Sequence, residues 1–241
     1  MGIIPARYGS ARFPGKPLAE LLGKPMFWHV YQRAMKCALI HEVLLATDDE
    51  RIYTKAADLE VPVVMTSDRH HSGTDRIMEA AAGMGLHQDD IVLNIQGDEP
   101  ALEPEMLEQL LGPLISSPEI KMTTLARTID YKSAQSPHVV KVVRSQSGRA
   151  LYFSRSLIPY SEKKNEEFLV HIGLYAYRFR CLEKFCRLGQ SVLERKEKLE
   201  QLRLLEADIP INVVLTRHTS QGVDVPEDIS KVVQILQERQ Q

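Results

Sequence analysis

Short apolar runs alternate with helix-patterned stretches through the first half of the chain, and this alternation constrains the fold most strongly. Strands are predicted to end at Ile3-Ile4 and to span Val43–Thr47, Val61–Met65 and Ile91–Ile95. Helices are predicted over Met26–Leu39, Glu50–Leu59, Thr74–Met84 and Pro104–Ile115. Strands separated by helices of this length form right-handed βαβ units. The pattern therefore predicts an α/β fold with a mostly parallel central sheet and helices on both faces.

The pattern becomes β-rich after about Lys121. Predicted strands span Met122–Arg127, Val139–Arg144, Ala150–Ser154, Leu169–Arg178 and, later, Ile211–Thr216. Helices are predicted around Cys181–Leu188, Val192–Glu206 and Pro226–Glu238. The chain shows no internal repeat and no low-complexity linker. We therefore expect a single α/β domain over 1–241, carrying a β-rich subregion at about 121–178.

Three polar segments follow predicted strand ends: the loop Pro5–Pro17, the run after Met65, and residues 96–100. In parallel sheets, ligands bind at the carboxyl ends of the strands. These three segments should therefore face one crevice.

The first loop carries Arg7, Arg12 and Lys16 together with two glycines. Backbone N–H groups and cationic side chains in such a loop suit a polyphosphate. The loop is not a Walker A motif, because the glycines are one residue too far apart and Pro17 replaces the magnesium-binding Ser or Thr. A surface loop with solvated charges is the alternative.

Two acids are candidate metal ligands. Asp98 follows a central strand, where a metal–phosphate complex would lie, and a turn acid is an equal alternative. Asp224 precedes the last predicted helix, so the residues alone favour a role in finishing that helix's N-terminus. Ser72 and Asp75 resemble a capping box, which is as plausible as nucleotide binding at that helix end.

His171 and Tyr175 alternate with apolar residues on one predicted strand, and Glu200 and Gln201 fall in a predicted helix. From the pattern alone, a structural histidine and a solvated Glu-Gln pair are the favoured interpretations.

Composition narrows the classes of function. The chain has 30 Lys and Arg against 32 Asp and Glu, a net charge of −2, which disfavours a nucleic-acid partner. Three cysteines without metal-type spacing fit free thiols in a reducing compartment. No apolar stretch is long enough for a membrane span, so a cytoplasmic protein is expected.

The order and amino-acid sequences of nine segments resemble those of the 3-deoxy-manno-octulosonate (Kdo) cytidylyltransferase family. The segments are residues 4–18, 45–50, 70–76, 94–100, 139–143, 150–159, 171–178, 199–206 and 222–228. They span almost the whole chain. The resemblance implies the nucleotide-diphospho-sugar transferase-like fold, a homodimer formed largely through the β-rich subregion, and Mg²⁺-dependent transfer of CMP from CTP to Kdo for lipopolysaccharide synthesis.

The resemblance also implies roles for individual residues. CTP would be bound by Arg7, Arg12, Lys16, Ser72 and Arg76, and Mg²⁺ by Asp98 and Asp224. Arg7, Lys16 and the two aspartates would be the catalytic set. The sugar acid would be bound by Gln96, Arg155, His171, Tyr175, Glu200 and Gln201. The anomeric hydroxyl would attack the α-phosphorus in line.

Two departures from the family pattern bear on the identity of the sugar substrate. Val170 stands where a basic residue is expected, and Ser136-Pro137-His138 replaces an Asn-Pro-Asn-like run. An 8-amino variant of Kdo is the alternative substrate. A nucleotidyltransferase acting on a sugar phosphate and a non-catalytic nucleotide-binding protein on the same fold are the rival functions.

Overall fold

A computed structural model of the chain describes residues 1–9, 12–70, 72–163 and 165–239. The chain forms two compact units. The first comprises Met1–Glu108 with Thr219–Gln241, and the second comprises Gln109–His218. The description of 1–241 as one domain with an inserted subregion stays a prediction.

The first unit contains a parallel sheet. Its strands are β1 (Gly2–Ala6), β4 (Val43–Thr47), β5 (Val63–Met65) and β6 (Ile91–Asn94), in the order β6-β1-β4-β5. A small antiparallel pair, β2 (Glu20–Leu21) and β3 (Lys24–Pro25), follows a 3₁₀ turn at Lys16–Leu18. Ile3 and Ile4 of β1 are both fully buried, as expected for a parallel strand covered on both faces.

Helices α1 (Met26–Ala34), α2 (Glu50–Asp58), α3 (Gly73–Ala82) and α9 (Asp228–Glu238) belong to the first unit, and α4 (Pro104–Ser116) contains the boundary between the units. Asp49 begins α2 because its carboxylate accepts the Arg51 N–H at 3.0 Å. Val232 and Leu236 of α9 pack in a cluster with Leu21 and Val223. This packing fixes the segment that precedes α9.

The second unit is β-rich, as predicted. Its strands are β7 (Met122–Asp130), β8 (Lys141–Arg144), β9 (Ala150–Ser154), β10 (Glu167–Arg178) and β11 (Asn212–Leu215). β7 pairs with β11 in parallel and with β10 in antiparallel fashion, while β8 pairs with β10 and β9. The helices are α5 (Tyr131–Ala134), α6 (Phe179–Arg187), α7 (Val192–Glu197) and α8 (Leu202–Glu206). Tyr177, Phe153 and Phe185 are large, fully buried side chains of this unit.

Two predicted helices were too long. Met26–Leu39 ends at Ala34, where the Cys37 N–H turns back to the Ala34 carbonyl at 3.1 Å. Val192–Glu206 is two helices, because Lys198 adopts a left-handed conformation with φ of 57° and ends α7. In the part of the chain that the structure describes, no helix has the length and apolar character needed to span a bilayer.

Candidate active site

The segments that follow β1, β5 and β6 line a cleft of about 280 Å³ in the first unit. This arrangement confirms the predicted convergence of three polar segments at the carboxyl ends of the strands. The cleft brings together most of the candidate residues. Its polar lining consists of Arg7, Arg12, Lys16, His70, Ser72, Arg76, Gln96, Asp98 and Asp224.

Gly97 allows the loop after β6 to lie directly against β1. A Cβ atom at this position would stand 2.8 Å from the carbonyl oxygen of Pro5, closer than such atoms approach without a shift. Any side chain would therefore displace the loop that carries Asp98. The local sequence requires glycine here because of this close backbone approach.

The basic loop is closed by its own backbone. The Gly15 N–H donates to the Tyr8 carbonyl at 2.9 Å, and Gly15 has φ of 73°, a conformation that favours glycine. The Arg51 guanidinium stacks 3.3 Å from the centre of the Tyr8 ring. Arg7 is exposed and lines the cleft. Residues 10 and 11 lie outside the described residues.

Two ion pairs join the candidate cations to the candidate metal ligands. Lys16 Nζ donates to Asp98 Oδ2 at 2.6 Å and to the Val223 carbonyl at 2.9 Å. Arg12 Nη2 donates to Asp224 Oδ1 at 2.9 Å. Asp224 does not cap α9, because the helix begins at Asp228 and the Asp224 side chain faces the cleft. The sequence-only preference for a capping role is thus wrong.

Glu99 is a half-buried acid at the site that the sequence did not single out. It accepts a hydrogen bond from the Ser220 hydroxyl. Burial, reinforced by the charges of Asp98 and Asp224, raises the pKa of Glu99 to about 7 despite that hydrogen bond. The sequence offered one signal for this residue, which is its position next to Asp98 directly after a buried strand.

The N-terminus of α3 forms another wall of the cleft. Ser72 Oγ accepts the Asp75 N–H at 3.1 Å and donates to the Asp75 carboxylate at 2.9 Å, which confirms the predicted cap. Arg76 is buried, and its guanidinium donates to Asp48 Oδ2 at 2.5 Å. Arg76 is therefore neutralised where it lines the cleft, and nucleotide binding by Ser72 and Arg76 stays a prediction. His70 pairs with Glu79.

His171 and Tyr175 are neighbours on β10 of the second unit, with ring centroids 5.4 Å apart. His171 Nε2 lies 2.9 Å from the Thr124 hydroxyl, and the ring also packs edge-on against Phe153. Burial lowers the pKa of His171 to about 3, so the imidazole is neutral near neutral pH. Burial and, secondarily, the charge of Glu200 raise the pKa of Tyr175.

Arg155 is held by backbone carbonyls of the second unit. Its Nε donates to Glu197 at 2.8 Å and its Nη1 to Pro137 at 3.1 Å. Glu200 and Gln201 lie between α7 and α8 rather than within one helix, which corrects the helical placement. Gln201 is 4% exposed, and its Nε2 atom has no hydrogen-bond partner among the described residues. A buried amide of this kind is suited to a polar ligand.

The carboxylates of the cleft are suited to a metal bound together with phosphate. No cluster of three or more His, Cys, Asp or Glu side chains within the described ranges could hold a metal alone. Mg²⁺ commonly takes one or two carboxylates and completes its shell with phosphate oxygens and water. Asp98 and Asp224, which face the cleft beside its cations, supply that donor chemistry.

The profile of the cytidylyltransferase family matches residues 1–211 of the chain. The chain belongs to the cytidylyltransferase family. It is a nucleotidyltransferase, in agreement with the cationic lining of the cleft. Similar proteins include the 3-deoxy-manno-octulosonate cytidylyltransferase of Oleidesulfovibrio alaskensis, 54% identical over 99% of this chain and 97% of that protein. The enzyme of the same name from Lawsonia intracellularis is 54% identical over 99% and 94%.

Solved structures confirm the predicted fold of this cytidylyltransferase. A structure of CMP:2-keto-3-deoxy-manno-octonic acid synthetase complexed with CTP superposes with a TM-score of 0.93 and 41% identity. The match covers 99% of this chain and 98% of that one. A cytidylyltransferase from Leptospira borgpetersenii has a TM-score of 0.63 at 15% identity, which reflects the shared fold alone.

Proposed function

We propose that this cytidylyltransferase transfers CMP from CTP to Kdo and releases diphosphate. Relatives at 54% identity carry that activity in their names, and the likeness to them covers nearly the whole chain. The observation that carries the proposal is the cleft in which Arg12 and Lys16 meet Asp98 and Asp224. Such a set can hold a triphosphate and a divalent cation together.

The nucleotide half of the reaction is assigned to the first unit. Arg7, Arg12 and Lys16 neutralise the triphosphate, and Ser72 and Arg76 bind near the α3 N-terminus. Asp98 and Asp224 would hold Mg²⁺, which when bound would shield the phosphates and lower the pKa of the attacking hydroxyl. Binding by these side chains orients the α-phosphorus for in-line attack.

The bond changes balance without a covalent enzyme intermediate. The anomeric oxygen of the sugar acid forms a bond to the α-phosphorus. The bond between that phosphorus and the bridging oxygen breaks, and diphosphate leaves with the electron pair. The hydroxyl proton passes to solvent. Lys16, with 15% of its side chain exposed, stabilises the charge that develops on the phosphates.

Six residues are assigned to binding of the sugar acid. They are Gln96, Arg155, His171, Tyr175, Glu200 and Gln201. Because His171 is neutral near pH 7, it would recognise the sugar by hydrogen bonding rather than by charge. The buried Gln201 amide would find its partner in a sugar hydroxyl or carboxylate.

The biological setting follows from the same assignment. CMP-Kdo would be made in the cytoplasm by a homodimer and would supply lipopolysaccharide synthesis. The balanced charge of the chain gives no reason to expect a nucleic-acid or membrane partner.

An 8-amino variant of Kdo is the second candidate acceptor. The departures Ser136 and His138 flank Pro137, whose carbonyl accepts from the candidate acceptor residue Arg155. A change in that run can therefore alter how the guanidinium is presented to the sugar.

Diphosphate release from CTP with Mg²⁺ tests these assignments, using Kdo, 8-amino-Kdo, sialic acid and a hexose 1-phosphate as separate acceptors. Asp98→Asn is the inactive control, and Glu227→Gln removes an exposed acid close to Asp224 as the matched control. Release with Kdo that is lost only in Asp98→Asn is the expected result. Release mainly with 8-amino-Kdo would reassign the acceptor, and release with the hexose phosphate alone would reassign the reaction. Folded protein that binds CTP but is silent with every acceptor would favour a non-catalytic nucleotide-binding protein.

A further inference from the structure

Two separate segments of the first unit supply the candidate metal ligands. Asp98 follows β6, and Asp224 lies more than a hundred residues later, before α9. Asp224 is largely exposed, with 60% of its side chain accessible, so the side chain itself has few contacts that could fix its position. Its distance from Asp98 must be set by the backbone that carries it.

Contacts between these segments converge on Glu99. The Ser220 hydroxyl donates to the Glu99 carboxylate from the start of the Asp224 segment. Gly222 lies flat against the same carboxylate, since a Cβ at Gly222 would stand 3.1 Å from Glu99 Oε1. The Val223 N–H then donates to the Asp98 carbonyl at 2.9 Å. The contacts with Glu99 thus involve two of the four residues that precede Asp224.

Other parts of the structure complete this connection. Val223 is 1% exposed and packs with α9, which anchors the segment. Lys16 Nζ bonds both Asp98 and the Val223 carbonyl. Because Glu99 is directed to Ser220 and does not line the cleft, it differs from Asp98 and Asp224, which do.

We propose that Glu99 is a positioning residue that holds the Asp224 segment at the spacing from Asp98 that a divalent cation needs. The inference rests on the proposed function for the identity of the two ligands. It assigns to Glu99 no contact with metal or nucleotide. A glutamine at position 99 would place an amide oxygen where the carboxylate oxygen stands. That oxygen can still accept a hydrogen bond from Ser220 and preserve the spacing between the two metal ligands.

Electron paramagnetic resonance detects Mn²⁺ binding in the presence of CTP as a loss of the free Mn²⁺ signal. This measurement tests the spacing of the two ligands without catalysis. Glu99→Ala should weaken Mn²⁺ binding about tenfold, and Ser220→Ala about threefold. Glu99→Gln should stay within about threefold of the wild type. Glu227→Ala, which removes an exposed acid from the same segment, is the matched control. Near-ultraviolet circular dichroism and metal-free CTP binding verify that each variant is folded.

The possible outcomes separate the positioning role of Glu99 from the proposed function. Glu99→Gln as defective as Glu99→Ala would overturn the positioning role and favour direct ligation by the carboxylate. Normal Mn²⁺ affinity in Glu99→Ala and Ser220→Ala would overturn it as well. A wild type that binds Mn²⁺ with CTP but transfers CMP to no acceptor would refute the proposed function, while the variant series would still decide on Glu99. A wild type that binds no Mn²⁺ would overturn both.

Discussion

His171 makes the second unit sensitive to acid, and replacing it by glutamine should remove that sensitivity. The imidazole lies among Thr124, Phe153 and Tyr175, and burial lowers its pKa from 6.5 to about 3. A group whose folded pKa lies below its unfolded value binds a proton more readily in the unfolded chain. His171 therefore has little effect on stability above pH 6.5, and the folded state loses stability relative to the unfolded chain as the pH falls from 6.5 toward 3.

The linkage relation gives the size of the effect. At pH 7.5 both states are almost fully neutral, so His171 changes the free energy of unfolding very little. At pH 5.0 the unfolded imidazole is protonated and the folded one is not, which costs about 2 kcal/mol. A folded pKa one unit higher changes this figure by roughly 0.1 kcal/mol, because the folded state would still be neutral at pH 5.0. The prediction therefore depends on the imidazole staying neutral in the folded state at pH 5.0.

Urea unfolding followed by circular dichroism at pH 7.5 and 5.0 measures the effect. The wild type should lose about 2 kcal/mol more than His171→Gln between the two pH values. His138→Gln removes an exposed histidine of the same unit and should leave the wild-type difference unchanged. Equal losses in the wild type and His171→Gln would refute the claim that the half-buried imidazole excludes a proton.

Three further substitutions test the cleft and its support. Lys16→Met should lower kcat/KM for CTP about 100-fold to 1000-fold in steady-state assays, because a preorganised cation that binds the phosphates is lost. A loss below about fivefold would contradict that role. Gly97→Ala should cost about 1–3 kcal/mol in urea unfolding, since the new methyl group meets the β1 backbone at 2.8 Å, and wild-type stability would argue against the close approach. Lys141→Met should cost about 1–3 kcal/mol, because the side chain is fully buried and its ammonium donates to three backbone carbonyls at 2.5–3.0 Å, which would lose their donor. A cost below 1 kcal/mol would show that those carbonyls find other partners.

The nucleotide cleft could be predicted from sequence because its parts follow strands. The polar segments after β1, β5 and β6 each come directly after a short apolar run, and parallel topology brings strand ends to one edge. Lys16 and Asp98 were thus predicted to face the same crevice although 82 residues separate them. Their direct ion pair was a finding of the structure, since strand order fixes neighbourhoods but not side-chain partners.

Other features depend on contacts that no local pattern encodes. Glu99 looks like a turn acid until Ser220 is seen to bond it. The break between α7 and α8 requires a left-handed Lys198, a conformation that helix propensity disfavours. Tertiary bonds accompany it, because the Glu197 carboxylate accepts from Ser154 and from the Arg155 N–H. Sequence periodicity continued the helix through this point because only the fold supplies those partners.

Lys16 and Arg12 of the cleft already have carboxylate partners, which leads to a prediction that differs from simple loss of function. Lys16 and Asp98 form an ion pair with only 15% and 33% of their side chains exposed, so a metal-free triphosphate must approach the Asp98 charge to reach Lys16. Asp98→Asn removes that charge and should strengthen binding of CTP in excess chelator about fivefold, or about 1 kcal/mol, while abolishing transfer with Mg²⁺.

Asp224→Asn is the matched comparison for this measurement. Its pair with Arg12 is exposed by 60% and 68%, and exposed pairs contribute little, so metal-free affinity should change less than about twofold. Calorimetric titration with CTP provides both values. Weaker metal-free binding in Asp98→Asn would mean that the aspartate supports the nucleotide site by holding Lys16 in place. Stronger binding would mean that Asp98 opposes the free nucleotide and favours it only when a cation is bound as well.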